Sequence, residues 1–202
     1  MEPLLLASTS PFRSQLLRRL GLPFEVRAPE YAEEPVPGLD PEALARHHAV
    51  EKARSLAARY PERIVVGSDQ VAVVAGRLLG KPGGRAAAVA QLAAMSGRRV
   101  AFHTGLAVLR GAREATWVET VWTRLRPLSR EEIEAYVDVD EPYGSAGAFR
   151  IEGLGIALME AVESVDPTAL IGLPLIALTR LLGELGVNVL LEARRAAASS
   201  RA

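Results

Sequence analysis

The sequence contains no cysteine and only three histidines among its 202 residues. The lack of cysteine excludes disulfide bonds and thiolate catalysis, and three histidines without regular spacing argue against a zinc site. Any chemistry that this chain performs must therefore rely on carboxylate, hydroxyl, ammonium and guanidinium groups.

An excess of charge of one sign is also lacking, because 24 basic side chains balance 24 acidic ones. This argues against a protein that coats nucleic acid or an anionic membrane, but it allows a local cationic pocket for a nucleotide. No apolar run approaches the roughly 18 residues of a membrane span. Arginines follow the first apolar segment, which is the reverse of a signal peptide. We therefore expect a cytoplasmic protein that binds a small molecule.

Apolar residues make up 49% of the chain and alternate between strand-like and helix-like patterns. The patterns predict strands at 4–7, 24–28, 64–74, 100–109, 116–125 and 156–165, and helices from Ser10 to Gly21 and at 42–60, 85–95, 129–137 and 170–185. This order predicts an α/β fold in which helices flank a mixed sheet with a cleft. We expect a single domain over 1–193 and a frayed Ala/Arg/Ser tail over 194–202.

The stretch from Ile64 to Val74 is the centre of the proposed chemistry. Its ends are apolar and β-branched, as in a buried strand, yet Ser68-Asp69-Gln70 interrupts it. A carboxylate inside such a run needs a partner, because burying an unpaired charge is costly. Asp69 either faces water from an edge strand or pairs with one of the chain's cations, which need a carboxylate or a phosphate as partner.

The first turn of the chain is a candidate anion site. Ser8-Thr9-Ser10-Pro11 links the first strand to a helix whose N-cap is Ser10. Free N–H groups and the positive end of the helix dipole face such a turn. Arg13 lies at the mouth of this helix, where it either contributes to the site or extends along the surface.

Two lysines and one glutamate complete the candidate site. Lys52 lies on a stripe of small residues in the helix at 42–60, where it either extends outward or reaches into a cleft. Lys81 follows a glycine on a loop that returns toward the strand of Asp69. Glu33 belongs to a proline-rich acidic loop that is either simply solvated or supplies a carboxylate to a metal ion.

A set of motifs occurs together and in order along nearly the whole chain. They are Leu6-Ala7-Ser8-Thr9-Ser10-Pro11-Phe12-Arg13, Glu33, Glu51-Lys52-Ala53, Gly67-Ser68-Asp69-Gln70, Gly80-Lys81-Pro82, Gly147-Ala148-Phe149 and Asp166-Pro167 with Gly172-Leu173-Pro174. The ordered set resembles the Maf-like nucleoside triphosphate pyrophosphatases. The resemblance implies an elongated mixed sheet with two lobes around a cleft, as in inosine triphosphate pyrophosphatases.

The resemblance also implies a reaction, the hydrolysis of a nucleoside triphosphate between its α and β phosphates. Asp69 would orient or deprotonate the attacking water, and phosphates would be bound by Ser8, Arg13, Lys52 and Lys81. Glu33 and Asp69 would hold a divalent cation, Mg²⁺ or Mn²⁺. A homodimer is expected from the same resemblance.

Three residues bear on the base that is recognised. Gln70 after Ser68-Asp69 is similar to the 7-methyl-GTP subgroup, as is Glu152, whereas the dTTP/UTP subgroup carries Ala-Asp-Thr and a neutral residue. Phe12 stands where that first subgroup often has tryptophan. Phe12 and Glu152 suit a cationic base, but the alternatives are core packing for Phe12 and an ion pair with Arg150 for Glu152. Hydrolysis of dTTP or UTP and a non-catalytic nucleotide-binding regulator are the rival hypotheses.

Overall fold

The computed structural model describes residues 2–34 and 36–199 and contains a mixed seven-stranded sheet with helices on both faces. The strands are β1 (Leu4–Ala7), β2 (Phe24–Arg27), β3 (Val65–Val74), β4 (Arg77–Leu79), β5 (Arg99–Arg110), β6 (Arg113–Leu125) and β7 (Met159–Glu163). The helices are α1 (Pro11–Arg18), α2 (Pro41–Ala57), α3 (Arg85–Met95), α4 (Arg130–Asp140), α5 (Leu175–Glu184) and α6 (Val189–Ser199). The predicted mixed α/β class is confirmed. No helix of the described part of the chain combines the length and the hydropathy required to cross a membrane.

The strand order is β2-β1-β3-β5-β6-β7, with β4 pairing only with β3. β1 runs parallel to β2 and β3, whereas β5, β6 and β7 continue the sheet antiparallel. With 13 residues, β6 alone extends roughly 40 Å at the usual rise per residue. The long central strands make the sheet elongated.

One face of the sheet carries two separate apolar clusters. The first joins leucines of β1 to α1 and α5, including Leu4, Leu16 and Leu178. The second joins the far ends of β3 and β5 to α3 and α4, including Phe102 and Leu92. Since residues two apart on a strand share a face, the polar side chains of Ser68 and Gln70 on β3 lie between the two clusters. These clusters form the two lobes on either side of the cleft.

Two predicted elements begin later than expected. The predicted strand at 156–165 begins only at Met159, since Leu154–Leu158 form a 3₁₀ turn. The turn brings Gly155 so close to Arg150 that a Cβ would lie 2.3 Å from the Arg150 carbonyl oxygen, which only glycine avoids. The predicted helix at 170–185 begins only at Leu175. Its first residues form a 3₁₀ turn, Ala169–Ile171, which ends at Gly172 with φ of +114°, a value incompatible with a continuing helix.

The C-terminal segment also differs from the expected frayed end. Residues 189–199 are helical, so 194–199 continue α6, while 200–202 lie outside the described residues. The side chain of Asn188 accepts a hydrogen bond from the Leu191 N–H, which caps the first turn of the helix. Alanine and arginine are strong helix formers, so the composition that suggested a tail is equally that of a helix.

Candidate active site

The sheet opens at Asp69. Along one edge of β3, β1 pairs with Val65–Gly67 and β4 pairs with Ala72–Val74. Between them, 68–71 have no strand partner on that edge within the described chain, whereas β5 pairs with the whole other edge. Asp69 therefore lies on a central strand and not on an edge strand. It stands beside a local gap, where one edge of that strand has no partner among the described strands.

Helix α2 lies unusually close to this gap because the sheet beneath it carries two glycines. A Cβ at Gly67 would lie 2.2 Å from the Ala49 carbonyl oxygen, and one at Gly105 would lie 2.1 Å from that of Ala45. Gly105 is the register partner of Asp69 on β5. The glycines and the alanine stripe thus bring the helix backbone against the strand beside the carboxylate.

Lys52 points inward from α2 and is 3% exposed, so it does not extend outward. Its Nζ lies 2.5 Å from Asp69 Oδ1 and 2.5 Å from Glu33 Oε1. Asp69 itself is 5% exposed. A buried ammonium is stabilised only by close opposite charges, and this one has a carboxylate from the strand and another from the acidic loop.

The acidic loop is attached along one face of α2. Tyr31 Oη is 2.8 Å from His48 Nδ1, and the Glu30 N–H donates to Ser55 Oγ at 3.1 Å. Burial lowers the pKa of His48 below its ordinary value, which keeps the imidazole neutral at neutral pH. Together with the Lys52 contact, these bonds hold the loop so that Glu33 faces Asp69.

Glu33 is ionised in this setting. Partial burial acts to raise its pKa, but the Lys52 hydrogen bond and the charges of Lys52, Lys81 and Arg13 outweigh it, so the pKa lies below its ordinary value. Lys81 is largely exposed, and its Nζ lies 4.0 Å from Glu33 Oε2. The ammonium of Lys81 therefore extends the charged cluster toward solvent.

Arg13 and Ser8 form the opposite wall. Ser10 caps α1 by accepting from the Arg13 N–H, and Ser8 Oγ accepts from the Ser10 N–H at 3.1 Å. The Arg13 guanidinium lies 3.5 Å from Ser8 Oγ through Nη1 and donates to the Gly172 carbonyl through Nε at 2.9 Å. Burial lowers the pKa of Arg13, opposed by the negative charges of Asp69 and Glu33. No carboxylate of the described residues lies within ion-pair distance of this cation.

Gln70 and Ser68 face the other side of β3 from Asp69. The Gln70 amide donates to Thr104 Oγ1 and to the carbonyl oxygens of Ala169 and Leu170, at 3.0 to 3.2 Å. Its nitrogen is therefore engaged with the turn before α5. The side chain of Gln70 therefore attaches the turn before α5 to β3 and β5.

Glu152 and Phe12 also line the cleft. Arg150 pairs with Asp140, at 2.8 Å from Nη2 to Oδ1, and not with Glu152 as in the alternative interpretation. Removal from bulk water inside the cleft raises the pKa of Glu152 above its ordinary value. Phe12 is half-buried at the mouth of α1 and belongs to none of the apolar clusters of the described chain.

The candidate site is a cleft of about 330 Å³. The nine residues that sequence reasoning selected all contribute to its wall: Ser8, Phe12, Arg13, Glu33, Lys52, Asp69, Gln70, Lys81 and Glu152. The cleft combines cations, carboxylates and the aromatic ring of Phe12 in one wall. Such a lining can accept an anionic ligand that also carries an aromatic group.

The sequence profile described as "Maf-like protein" matches residues 3–185. This chain belongs to the Maf-like family. A protein of Xanthomonas oryzae pv. oryzae (strain MAFF 311018), named 7-methyl-GTP pyrophosphatase, is 51% identical over 189 residues, which is 94% of this chain and 100% of the relative. A protein of the same name from Syntrophotalea carbinolica is 49% identical over 193 residues, covering 94% and 98%. A third, from Ralstonia nicotianae, is 50% identical over 182 residues, covering 89% and 94%. The family resemblance is thereby confirmed.

Among solved structures, the Staphylococcus aureus Ham1 protein is similar with a TM-score of 0.44 and 16% sequence identity. The match covers 76% of the Maf-like chain and 90% of the Ham1 chain.

The donor set of the cleft fits a hard divalent cation. Asp69 and Glu33 supply carboxylate oxygens on either side of Lys52. Within the described residues, three or more acidic or histidine side chains do not cluster into a site made of protein ligands alone. Mg²⁺ commonly binds through one or two carboxylates while the substrate phosphates and water complete its coordination. Two carboxylates in a phosphate-sized cleft satisfy that requirement.

Sequence reasoning missed the residues that hold the site from outside the cleft. Tyr31 and His48 attach the acidic loop, and Thr168 organises the turn that contacts Arg13. The helical spacing of His48, Lys52 and Ser55 was a usable signal, because positions i, i+4 and i+7 share one face of a helix. The partners of Thr168 carry no such signal.

Proposed function

We propose that this Maf-like chain hydrolyses the α–β phosphoanhydride of 7-methyl-GTP, releasing the monophosphate and pyrophosphate. The single observation that carries the proposal is the convergence of Arg13, Lys52, Lys81, Glu33 and Asp69 in one cleft that Phe12 and Glu152 also line. The names of the relatives support the same substrate.

The cations of the cleft suit a triphosphate. Arg13 has free donors on its guanidinium, and a planar fork of this kind contacts two phosphate oxygens at once. The N–H groups at the mouth of α1 and the Ser8 hydroxyl add neutral donors, while Lys81 supplies a mobile point charge. These groups would bind the phosphate chain and hold the α phosphorus near Asp69.

Asp69 is the group that would position the attacking water. Its Oδ1 is engaged by Lys52 at 2.5 Å, which leaves the second carboxylate oxygen to accept a proton from water. Lys52 fixes the direction of that oxygen, because the ammonium is itself held by Glu33. A divalent cation bound by Glu33 and Asp69 would neutralise charge on the phosphates.

Phe12 and Glu152 suit a methylated guanine. N7-methylation leaves the base with a positive charge, which favours stacking on an aromatic ring and contact with a carboxylate. Phe12 and Glu152 provide these two groups. We also propose that the protein is cytoplasmic and forms a homodimer, and the roles of the site residues do not depend on either.

The test is a measurement of pyrophosphate release with Mg²⁺ and a panel of 7-methyl-GTP, GTP, dTTP, UTP and CTP. We expect the highest kcat/KM for 7-methyl-GTP. A preference for dTTP or UTP would retain the role of Asp69 and overturn the roles of Gln70 and Glu152. Binding without turnover of any triphosphate would instead support a regulator.

A further inference from the structure

The Gly172 carbonyl oxygen is a shared acceptor beside the cleft. Arg13 Nε donates to it at 2.9 Å, and Ser68 Oγ, which is fully buried on β3, lies 2.9 Å from the same oxygen. The backbone of Gly172 has φ of +114°, and a Cβ added there would lie 3.3 Å from Arg13 Nε. The direction of this one carbonyl therefore sets where the Arg13 guanidinium lies.

Thr168 contacts both backbone groups of Leu173, whose N–H belongs to the same peptide as the Gly172 carbonyl. The Leu173 N–H, which shares a rigid plane with the Gly172 carbonyl, donates to the Thr168 carbonyl oxygen at 3.4 Å. On the far side of Leu173, Thr168 Oγ1 lies 2.9 Å from the Leu173 carbonyl oxygen. Because a peptide plane turns as a unit, the first contact keeps the Gly172 carbonyl pointed at Arg13. The second contact lies on the next peptide and holds the chain on the far side of Leu173.

Asp166 in turn fixes Thr168. The Asp166 carboxylate is 1% exposed and accepts from the Thr168 N–H at 3.0 Å. Its Oδ1 also lies 2.6 Å from Thr168 Oγ1, whose single proton is shared between this oxygen and the Leu173 carbonyl. The other carboxylate oxygen of Asp166 accepts from the Ile176 N–H at 2.7 Å, and Thr168 Oγ1 accepts from the Leu175 N–H at 2.8 Å. The N-terminus of α5 thus compensates the buried charge and anchors the turn.

Neither Thr168 nor Asp166 lines the cleft, so any effect of these residues on a ligand must pass through the groups that they hold. We propose that Thr168 is a positioning residue for triphosphate binding, which aims the Arg13 guanidinium at the phosphates through the Gly172 carbonyl. The inference rests on the proposed function, because it assumes that Arg13 contacts the triphosphate.

The test compares Thr168→Val, which removes the hydroxyl at constant shape, with Thr168→Ser, which keeps it. KM and kcat for 7-methyl-GTP with Mg²⁺ are measured together with the Kd of a hydrolysis-resistant α,β-methylene triphosphate. We expect Thr168→Val to raise KM and Kd by about ten-fold with a smaller change in kcat, and Thr168→Ser to stay within about two-fold of the unmodified protein. Unchanged constants in Thr168→Val would overturn the inference.

A second comparison places Thr168→Val in an Arg13→Lys background. If Thr168 acts through Arg13, we expect Thr168→Val to raise KM and Kd by less than about two-fold in the Arg13→Lys background, because the effects of coupled residues are not additive. The same ten-fold factor in both backgrounds would mean that Thr168 acts through another group and would overturn the inference. If Thr168→Val does not fold, as judged by circular dichroism, Asp166→Asn takes its place with the same expected and contrary outcomes.

The Arg13→Lys variant alone separates the two proposals. An unchanged KM and Kd in Arg13→Lys would remove Arg13 from the phosphate site and so contradict the proposed function. A raised KM in Arg13→Lys with unchanged constants in Thr168→Val would contradict only the role of Thr168.

Discussion

Lys52 Nζ lies 2.5 Å from Asp69 Oδ1, and both side chains are almost completely buried between α2 and the sheet. The same ammonium lies 2.5 Å from Glu33 Oε1, so one cation joins a strand carboxylate to a loop carboxylate. Burial of any one of these charges without the others would be unfavourable. The three side chains therefore behave as a unit, and most of the expected effects of mutation follow from that.

Replacing Asp69 with asparagine keeps the shape of the side chain and removes its negative charge. We expect Asp69→Asn to lower kcat by about 10³-fold, because the amide cannot accept the proton of the attacking water. Triphosphate binding should be retained or tightened, since a repulsive charge near the phosphates is gone. Calorimetric Kd and pyrophosphate release measure the two effects. The matched control is Asp138→Asn, an exposed carboxylate paired with Arg85. Unchanged turnover in Asp69→Asn would exclude the catalytic role.

Lys52→Met removes the cation and leaves the carboxylate of Asp69 buried without its partner. We expect a loss of about 3 kcal/mol in the free energy of unfolding, measured by urea titration, because breaking a buried pair strands the other charge. Adding Asp69→Asn should recover most of this loss, although activity stays absent. A double variant that is no more stable than Lys52→Met would show that the stranded charge is not the cause.

The pKa of Glu33 gives a pH dependence with a defined sign. Its pKa in the folded protein lies below the ordinary value of 4.5, so its stabilising contribution is complete above that pH and is lost as the pH falls through the lowered pKa. Because the side chain is 40% exposed, we expect only about 0.5 kcal/mol. Urea unfolding of the unmodified protein and Glu33→Gln at several pH values should show a gap at pH 7 that closes in acid. A gap that widens in acid contradicts the prediction.

The site was more predictable from the sequence than its supports were. Asp69 stands out because a carboxylate inside an apolar strand needs a partner, and Lys52 stands out because a lysine among alanines does too. The hydrogen bonds of Thr168 to Leu173 and of Tyr31 to His48 follow no comparable rule. Such contacts depend on how loops fold back, which residue type and spacing do not specify.

The same distinction applies to the fold. Strands β3 and β5 are long and mostly apolar, and β6 alternates between apolar and polar residues, so their patterns predicted all three to within a few residues. The predictions for the segment before β7 and for the start of α5 were wrong, because turns stand at Gly155 and Gly172. Gly155 lies against the Arg150 backbone, and Gly172 has a positive φ. Helix α6 was missed because an Ala/Arg/Ser composition suits both a helix and a tail.

The carboxylate of Glu152 offers a test of base recognition. We expect Glu152→Gln to lower the ratio of kcat/KM for 7-methyl-GTP to that for GTP by about ten-fold, because the cationic base loses an opposite charge in a partly desolvated site. The measurement is pyrophosphate release with each nucleotide. Glu160→Gln, the same change at an exposed position of β7, is the control and should leave the ratio unchanged. An unaltered ratio in Glu152→Gln removes this residue from recognition.

Gly67→Ala tests whether the close approach of α2 creates the site. The added Cβ would lie 2.2 Å from the Ala49 carbonyl oxygen, a backbone atom that cannot give way unless the helix shifts. We expect a loss of about 2 kcal/mol in the free energy of unfolding, as for other overpacked cores, together with a fall in kcat as Lys52 moves relative to Asp69. Gly183→Ala is the matched control, because its Cβ would meet open space inside α5 and should stabilise that helix slightly. Full activity in a folded Gly67→Ala protein would show that the spacing of helix and strand does not limit catalysis.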